Sequence, residues 1–237
     1  MRLKLTLSYD GTAFSGWAPQ PERRTVHGEL VRALLRLYEG VDELAVAGRT
    51  DAGVHALGNV VSVEVRGGPP AEKAALALNS ILPLDLVVLA CDPAADRFSA
   101  RYDATSRSYR YRVWASRVPS ALESRRALWI PRALDLAALN ENAAALLGRH
   151  EFTALTPADT KHTVFVRDVS AARWTQVDEQ QVTFEITANS FLRHMVRISV
   201  GSMLAGYDLA KLVDARPRAE GGPTAPAHGL YLVSVSY

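Results

Sequence analysis

The segment Glu43 to Val65, ELAVAGRTDAGVHALGNVVSVEV, decides how this chain is read. Two apolar runs, Glu43 to Ala47 and Asn59 to Val65, flank a Gly-rich turn, and apolar runs bounded by turn residues read as strands. Between them Gly48-Arg49-Thr50-Asp51-Ala52-Gly53 sets one carboxylate in a tight turn, with a guanidinium two residues before it. Aspartates in turns commonly bond their own backbone. A carboxylate on a rigid mount between two strands also suits catalysis, so the turn by itself leaves both roles open.

Working outward, Leu3 to Tyr9 alternates with period two and reads as a strand. Thr25 caps a helix with Val26, Leu30, Leu34 and Leu37 on one face. Ala71 to Ile81 is helical behind Pro70, and Asp85 to Cys91 closes this half as a strand. The order β-α-β-β-α-β is the ferredoxin-like arrangement. The second half repeats it more loosely, with strands at Ser108 to Trp114, Thr163 to Trp174, Val182 to Ala188 and Leu230 to Tyr237. Its helices are expected at Asp135 to Leu147 and Phe191 to Leu204. The expected fold is α+β, with two tandem ferredoxin-like halves, 1–104 and 105–237, sharing one continuous, mainly antiparallel sheet flanked by helices. The cleft between the halves is the natural site.

At 237 residues the chain is long enough to bury a core without staples. Its single cysteine, Cys91, lies in an apolar run and reads as core in a reducing compartment. Met1 to Leu5 is too short and too alternating for a signal peptide, and no apolar run approaches a membrane span. A soluble cytoplasmic protein is expected. From Arg97 to Arg126, eight arginines stand against Asp103 and Glu123, so this stretch carries +6 in a chain whose net charge is +2. Phe98, Tyr102, Tyr109, Tyr111 and Trp114 are interleaved with them. Guanidinium forks bind phosphate oxygens and stack on bases, so the mixture suits a nucleic acid, although a solvated strand face has the same look.

Several motifs carry a family resemblance. They are Tyr9-Asp10-Gly11-Thr12 with Phe14 and Gly16-Trp17, then Gly48-Arg49-Thr50-Asp51-Ala52-Gly53-Val54-His55. Phe98-Ser99-Ala100-Arg101 and Tyr109-Arg110-Tyr111 follow. The C-terminal half adds Asn189-Ser190-Phe191-Leu192-Arg193-His194-Met195-Val196-Arg197 and Thr224-Ala225-Pro226-Ala227-His228-Gly229-Leu230. In this order the chain resembles the tRNA pseudouridine synthase A family over nearly its full length.

The resemblance implies the pseudouridine synthase fold and isomerisation of uridine to pseudouridine at positions 38, 39 and 40 of the tRNA anticodon stem-loop. It implies no cofactor or metal, and a homodimer that holds the tRNA across both subunits. Asp51 is then the nucleophile, attacking C6 of the base or C1′ of the ribose, or else assisting by deprotonating the sugar. Arg197 is its counter-ion and Tyr109 the ring that stacks on the extruded uracil. Arg49 displaces the base or holds a phosphate, and Arg101, Arg110 and Arg112 are further tRNA contacts. The chain departs from the family pattern at Ala18-Pro19-Gln20-Pro21 and at His27, which bears on tRNA grip rather than on chemistry.

Other classes fit less well. No pair among the six histidines has zinc-ligand spacing, and His55 reads as a donor that steadies the turn. No GxGxxG or GxxxxGK[ST] loop is present. A hydrolase would want a second carboxylate near Asp51, and the motifs offer none. A non-catalytic RNA-binding protein is the alternative, and it leaves an acid facing a phosphate backbone without purpose.

Overall fold

The computed structural model describes residues 1–237, and the chain divides into two compact units. The first comprises Met1–Arg107 and Tyr231–Tyr237, the second Ser108–Leu230. Ten strands, mostly antiparallel, and the helices that flank them make an α+β protein.

In the first unit the order is β1 (Arg2–Tyr9), α1 (Val26–Leu37), β2 (Gly40–Val46), β3 (His55–Arg66), α2 (Ala71–Asn79) and β4 (Leu86–Pro93). This is the β-α-β-β-α-β sequence the pattern predicts. Leu3, Leu5 and Leu7 alternate into the core of β1, as period two requires. β1 pairs antiparallel with both β3 and β4, and β2 pairs antiparallel with the far part of β3. Thr25 caps α1 by accepting from Gly28 N at 3.2 Å, and the helix buries Val26, Leu30, Ala33 and Leu34. Ala33 takes the core position expected of Leu37, which is only half-buried. The C-terminal strand β10 (Leu230–Ser236) also belongs here, pairing parallel with the start of β3 through Tyr231↔His55 and Leu232↔Ala56.

The second unit holds β5 (Ser106–Ala115, from Ser108 on), β6 (Leu128–Ile130), α3 (Leu136–Ala144), β7 (Gly148–Glu151), β8 (Val166–Gln176), β9 (Gln181–Ala188) and α4 (Met195–Leu204). Its strand order is β5-β9-β8-β7, with β6 against β5. Trp174 and Phe184 meet at 5.1 Å in its core, and the Trp174 indole donates to Met203 Sδ.

Three helices are shorter than the periodicity predicts, and α2 ends at Asn79 rather than Ile81. α3, capped by Asp135 at Ala138 N, ends at Ala144 because the next amides reach back only three residues, Leu146 N to Ala143 O and Leu147 N to Ala144 O. α4 starts at Met195, not Phe191. Asn189 Oδ1 accepts from Ser190 N and Asp168 N, and His194 sits at φ +60°, so residues 190–194 form a turn. The strands β6 and β7 went unpredicted. At three and four residues they are too short to show a period.

No helix is long and apolar enough to cross a membrane. Cys91 on β4 is half-buried, and its pKa is pushed up from the usual 9.0 to about 11 by burial, with Asp92 and Glu72 adding. Its neutral form favours the fold, a contribution present below pH 9.0 and lost as the pH rises through about 11. At pH 8 the thiolate fraction is about 100-fold below that of an unperturbed thiol, and alkylation of the folded protein is expected to be slower by that factor. Timed iodoacetamide labelling with and without denaturant checks this, and equal rates would contradict it.

Candidate active site

The loop after β2 carries Asp51, and neighbouring backbone fixes it from one side. Trp17 N donates to Thr50 O at 2.9 Å and Gly53 N to Phe14 O at 3.3 Å, while Val54 N returns to Asp51 O at 3.2 Å. The segment 11–17 approaches so closely that side chains would not fit. A Cβ on Gly11 would lie 2.0 Å from Val54 O, and one on Gly16, at φ +94°, 2.9 Å from Thr50 O.

A buried hydrogen-bond network anchors the loop from beneath. Asn59 Nδ2 donates to Gly48 O at 2.8 Å and to the Tyr9 hydroxyl at 3.1 Å. The Tyr9 hydroxyl also shares a hydrogen bond with Thr50 Oγ1 at 2.8 Å. Burial pushes the Tyr9 pKa up to about 12, against the opposing effect of Thr50 and Asn59, so this phenol stays protonated. At the loop's end His55 stacks on Tyr231 at 4.6 Å, and its Nδ1 accepts from Gly11 N at 3.1 Å. The same Nδ1 lies 3.2 Å from Asp10 Oδ1, so His55 steadies the turn through both residues of the 10–11 segment. Asp51 is half-buried on top of these supports.

The other catalytic candidates, Tyr109 and Arg197, lie in the second unit. Tyr109 and Tyr111 share one face of β5, and packing separates them. Tyr111 is 0% exposed and donates to Pro226 O at 2.8 Å. Tyr109 is half-buried, with its ring edge-on to Phe191 at 4.9 Å. Arg197, in the first turn of α4, is half-buried and donates from Nε to Ala225 O at 2.8 Å. Ala225 N donates back to Arg197 O at 3.0 Å, so the Thr224–Gly229 stretch is a strap that orients this guanidinium. Beneath the strap, a Cβ on Gly201 would lie 2.1 Å from Pro223 O. His228 in the same strap has its pKa lowered by burial, against an opposing hydrogen bond with the Ala127 backbone and with Arg197 lowering it further.

The arginines sort into distinct groups. Arg107 is buried and structural, donating to Ala47 O, Ala104 O and Arg101 O. Arg110 pairs with Glu185 at 2.6 Å and Arg112 with Glu123 at 2.9 Å. Arg49 and Arg101 are exposed, as is Arg97, which the motifs do not single out. The only advance sign of Arg97 is its place at the head of the basic run.

Sequence comparison adds a class to this geometry. Residues 143–237 match the family model described as tRNA pseudouridine synthase, an isomerase that converts uridine to pseudouridine. The tRNA pseudouridine synthase A of Paramagnetospirillum magneticum is 40% identical over 244 residues, covering 100% of this chain and 95% of that protein. That of Moorella thermoacetica is 41% identical over 244 residues, covering 99% of each. That of Bacillus subtilis is 38% identical over 246 residues, covering 100% of this chain and 99% of its own length. The chain belongs to the tRNA pseudouridine synthase A family.

Proposed function

We propose that this tRNA pseudouridine synthase acts on positions 38, 39 and 40 of the anticodon stem-loop, with Asp51 as nucleophile. The observation that carries the reading is the mount of Asp51, a half-buried carboxylate on a loop held by backbone bonds to Trp17 and Phe14 and by the Tyr9–Thr50–Asn59 network. Such preorganisation suits a group that must meet one atom of a substrate. The reaction breaks the bond from N1 of uracil to C1′, turns the base, and forms a bond from C5 to C1′. The hydrogen on C5 leaves as a proton and N1, released from C1′, takes one up, so the product is an isomer and no redox partner is consumed.

Arg197 is assigned as the counter-ion of the Asp51 carboxylate, and its fixed Nε–Ala225 bond favours a defined orientation. Tyr109 is assigned to stack on the displaced uracil, since its ring is the less buried of the β5 pair. Arg49, Arg101, Arg110 and Arg112 are the proposed tRNA contacts. Arg49 and Arg101 are the more accessible, because the other two are engaged with Glu185 and Glu123. A cytoplasmic homodimer holding one stem-loop across both subunits completes the reading.

The test is tritium release from anticodon stem-loops labelled at C5 of a single uridine. Release is expected from loops labelled at 38, 39 or 40 and absent when the label sits elsewhere in the loop. Release from uridines outside that window would overturn the positional assignment.

A further inference from the structure

The turn Ser99–Asp103 is built more firmly than a connecting loop requires. Within it, Ser99 N donates to Asp103 Oδ2 at 2.8 Å and Asp103 N to Ser99 O at 3.0 Å. From below, Arg107 Nη2 donates to Arg101 O at 2.7 Å, Tyr237 Oη to Ala100 O at 3.0 Å, and Ala100 N to Ser62 Oγ at 3.0 Å. Three elements far apart in sequence thus brace one turn. On its outer side stand Arg101 and Tyr102, the guanidinium 5.1 Å from the ring centroid, with Tyr102 77% exposed.

Beside this pair lies a cavity of about 630 Å³, lined among others by Trp17, His27, Arg49, Arg97, Arg101 and Tyr102. That volume falls in the range of small-ligand pockets. Arg49, Arg97 and Arg101 enter no ion pair, and the lining acid Glu43 is neutralised by Arg2 at 3.0 Å. The wall is therefore strongly cationic. Exposed aromatics beside unpaired arginines are the means by which proteins hold unpaired nucleotides, the ring stacking on the base and the guanidinium meeting phosphate. Asp51 does not line the cavity.

We infer that this cavity and the Arg101–Tyr102 turn form a second nucleotide subsite, holding an unpaired nucleotide of the substrate RNA other than the one isomerised. Tyr102 stacks on its base, while Arg97 and Arg49 hold its phosphates. His27, half-buried at the same wall, has its pKa lowered by burial and offers a neutral imidazole to a base edge. The inference rests on the tRNA-modifying reading, because the chemistry recognised is that of RNA.

The experiment measures binding of full-length tRNA across a salt series, and tritium release under steady-state conditions, for Tyr102→Ala, Tyr102→Phe and Arg97→Ala. Tyr102→Ala is expected to weaken binding roughly tenfold, with the loss in KM rather than kcat, and Tyr102→Phe to restore it. Arg97→Ala is expected to reduce the salt slope by about one. Both side chains are exposed, so unchanged melting temperatures accompany these effects. Wild-type binding by Tyr102→Ala, with or without a lower slope for Arg97→Ala, would overturn the subsite, since a phosphate contact alone is not a nucleotide pocket. Normal tritium release in that case would leave the synthase reading intact. Absence of release from the wild-type protein would instead overturn that reading.

Discussion

Asp51→Asn is expected to bind tRNA as the wild-type protein does and to lose tritium release by on the order of 10⁴-fold or more. Amide and carboxylate have the same shape, so the substitution removes charge and nucleophilicity with little change in packing. Several bonds that position the loop do not involve that carboxylate. Thr50 O, Gly53 N and Gly48 O are held by Trp17, Phe14 and Asn59, and Thr50 Oγ1 by Tyr9. Retained affinity with lost chemistry is therefore the signature of a group that acts on the reacting atoms. A variant that releases tritium at the normal rate would end the nucleophile assignment. One that loses binding as well would make Asp51 a structural turn residue.

Gly11→Ala is expected to be the more damaging change to the fold. Its Cβ would stand 2.0 Å from Val54 O and 2.5 Å from Val54 C, both main-chain atoms. Val54 has little room to retreat, because Ala56 two residues on pairs with Tyr9, and His55 with Tyr231. The loss is expected to reach about 3 kcal/mol or more, the upper range for overpacking. That corresponds to a melting temperature lower by roughly 6–12 °C for a chain of this size. Gly206→Ala is the control. Its φ of +82° is strained for alanine, but nothing lies within 4 Å, so only about 1–2 kcal/mol is expected. Calorimetry on the two variants decides the matter, and a Gly11→Ala protein as stable as Gly206→Ala would contradict the account.

Much of the first unit was legible because its strands bury one face, and period two then appears in the residues themselves, as Leu3, Leu5 and Leu7 show. The start of α4 was not legible. Apolar residues continue back to Phe191, and only the Asn189 side chain and the left-handed His194 reveal that the chain turns there. The two tyrosines of β5 illustrate a second limit. Alternation puts Tyr109 and Tyr111 on one face but is silent on which is covered, and that is decided by Phe191 and Pro226, far away in sequence. Charge poses the same difficulty. The arginine run is plain to read, whereas the commitment of Arg107 to carbonyls and of Arg110 to Glu185, 75 residues on, is a property of the folded chain. Arg97 and Tyr102 stand out only once those neighbours are accounted for.

The strand β10 gives the first unit a particular history during synthesis. Tyr231 and Tyr237 supply the ring beneath His55 and the hydroxyl beneath Ala100, yet they are translated after all of Ser108–Leu230. A nascent chain halted before them holds every arginine and Asp51 itself, but lacks part of the support under both. Domains ordinarily fold in the order they leave the ribosome. Here the earliest residues wait for the latest, so the Asp51 loop gains its full support only after the second unit has been made.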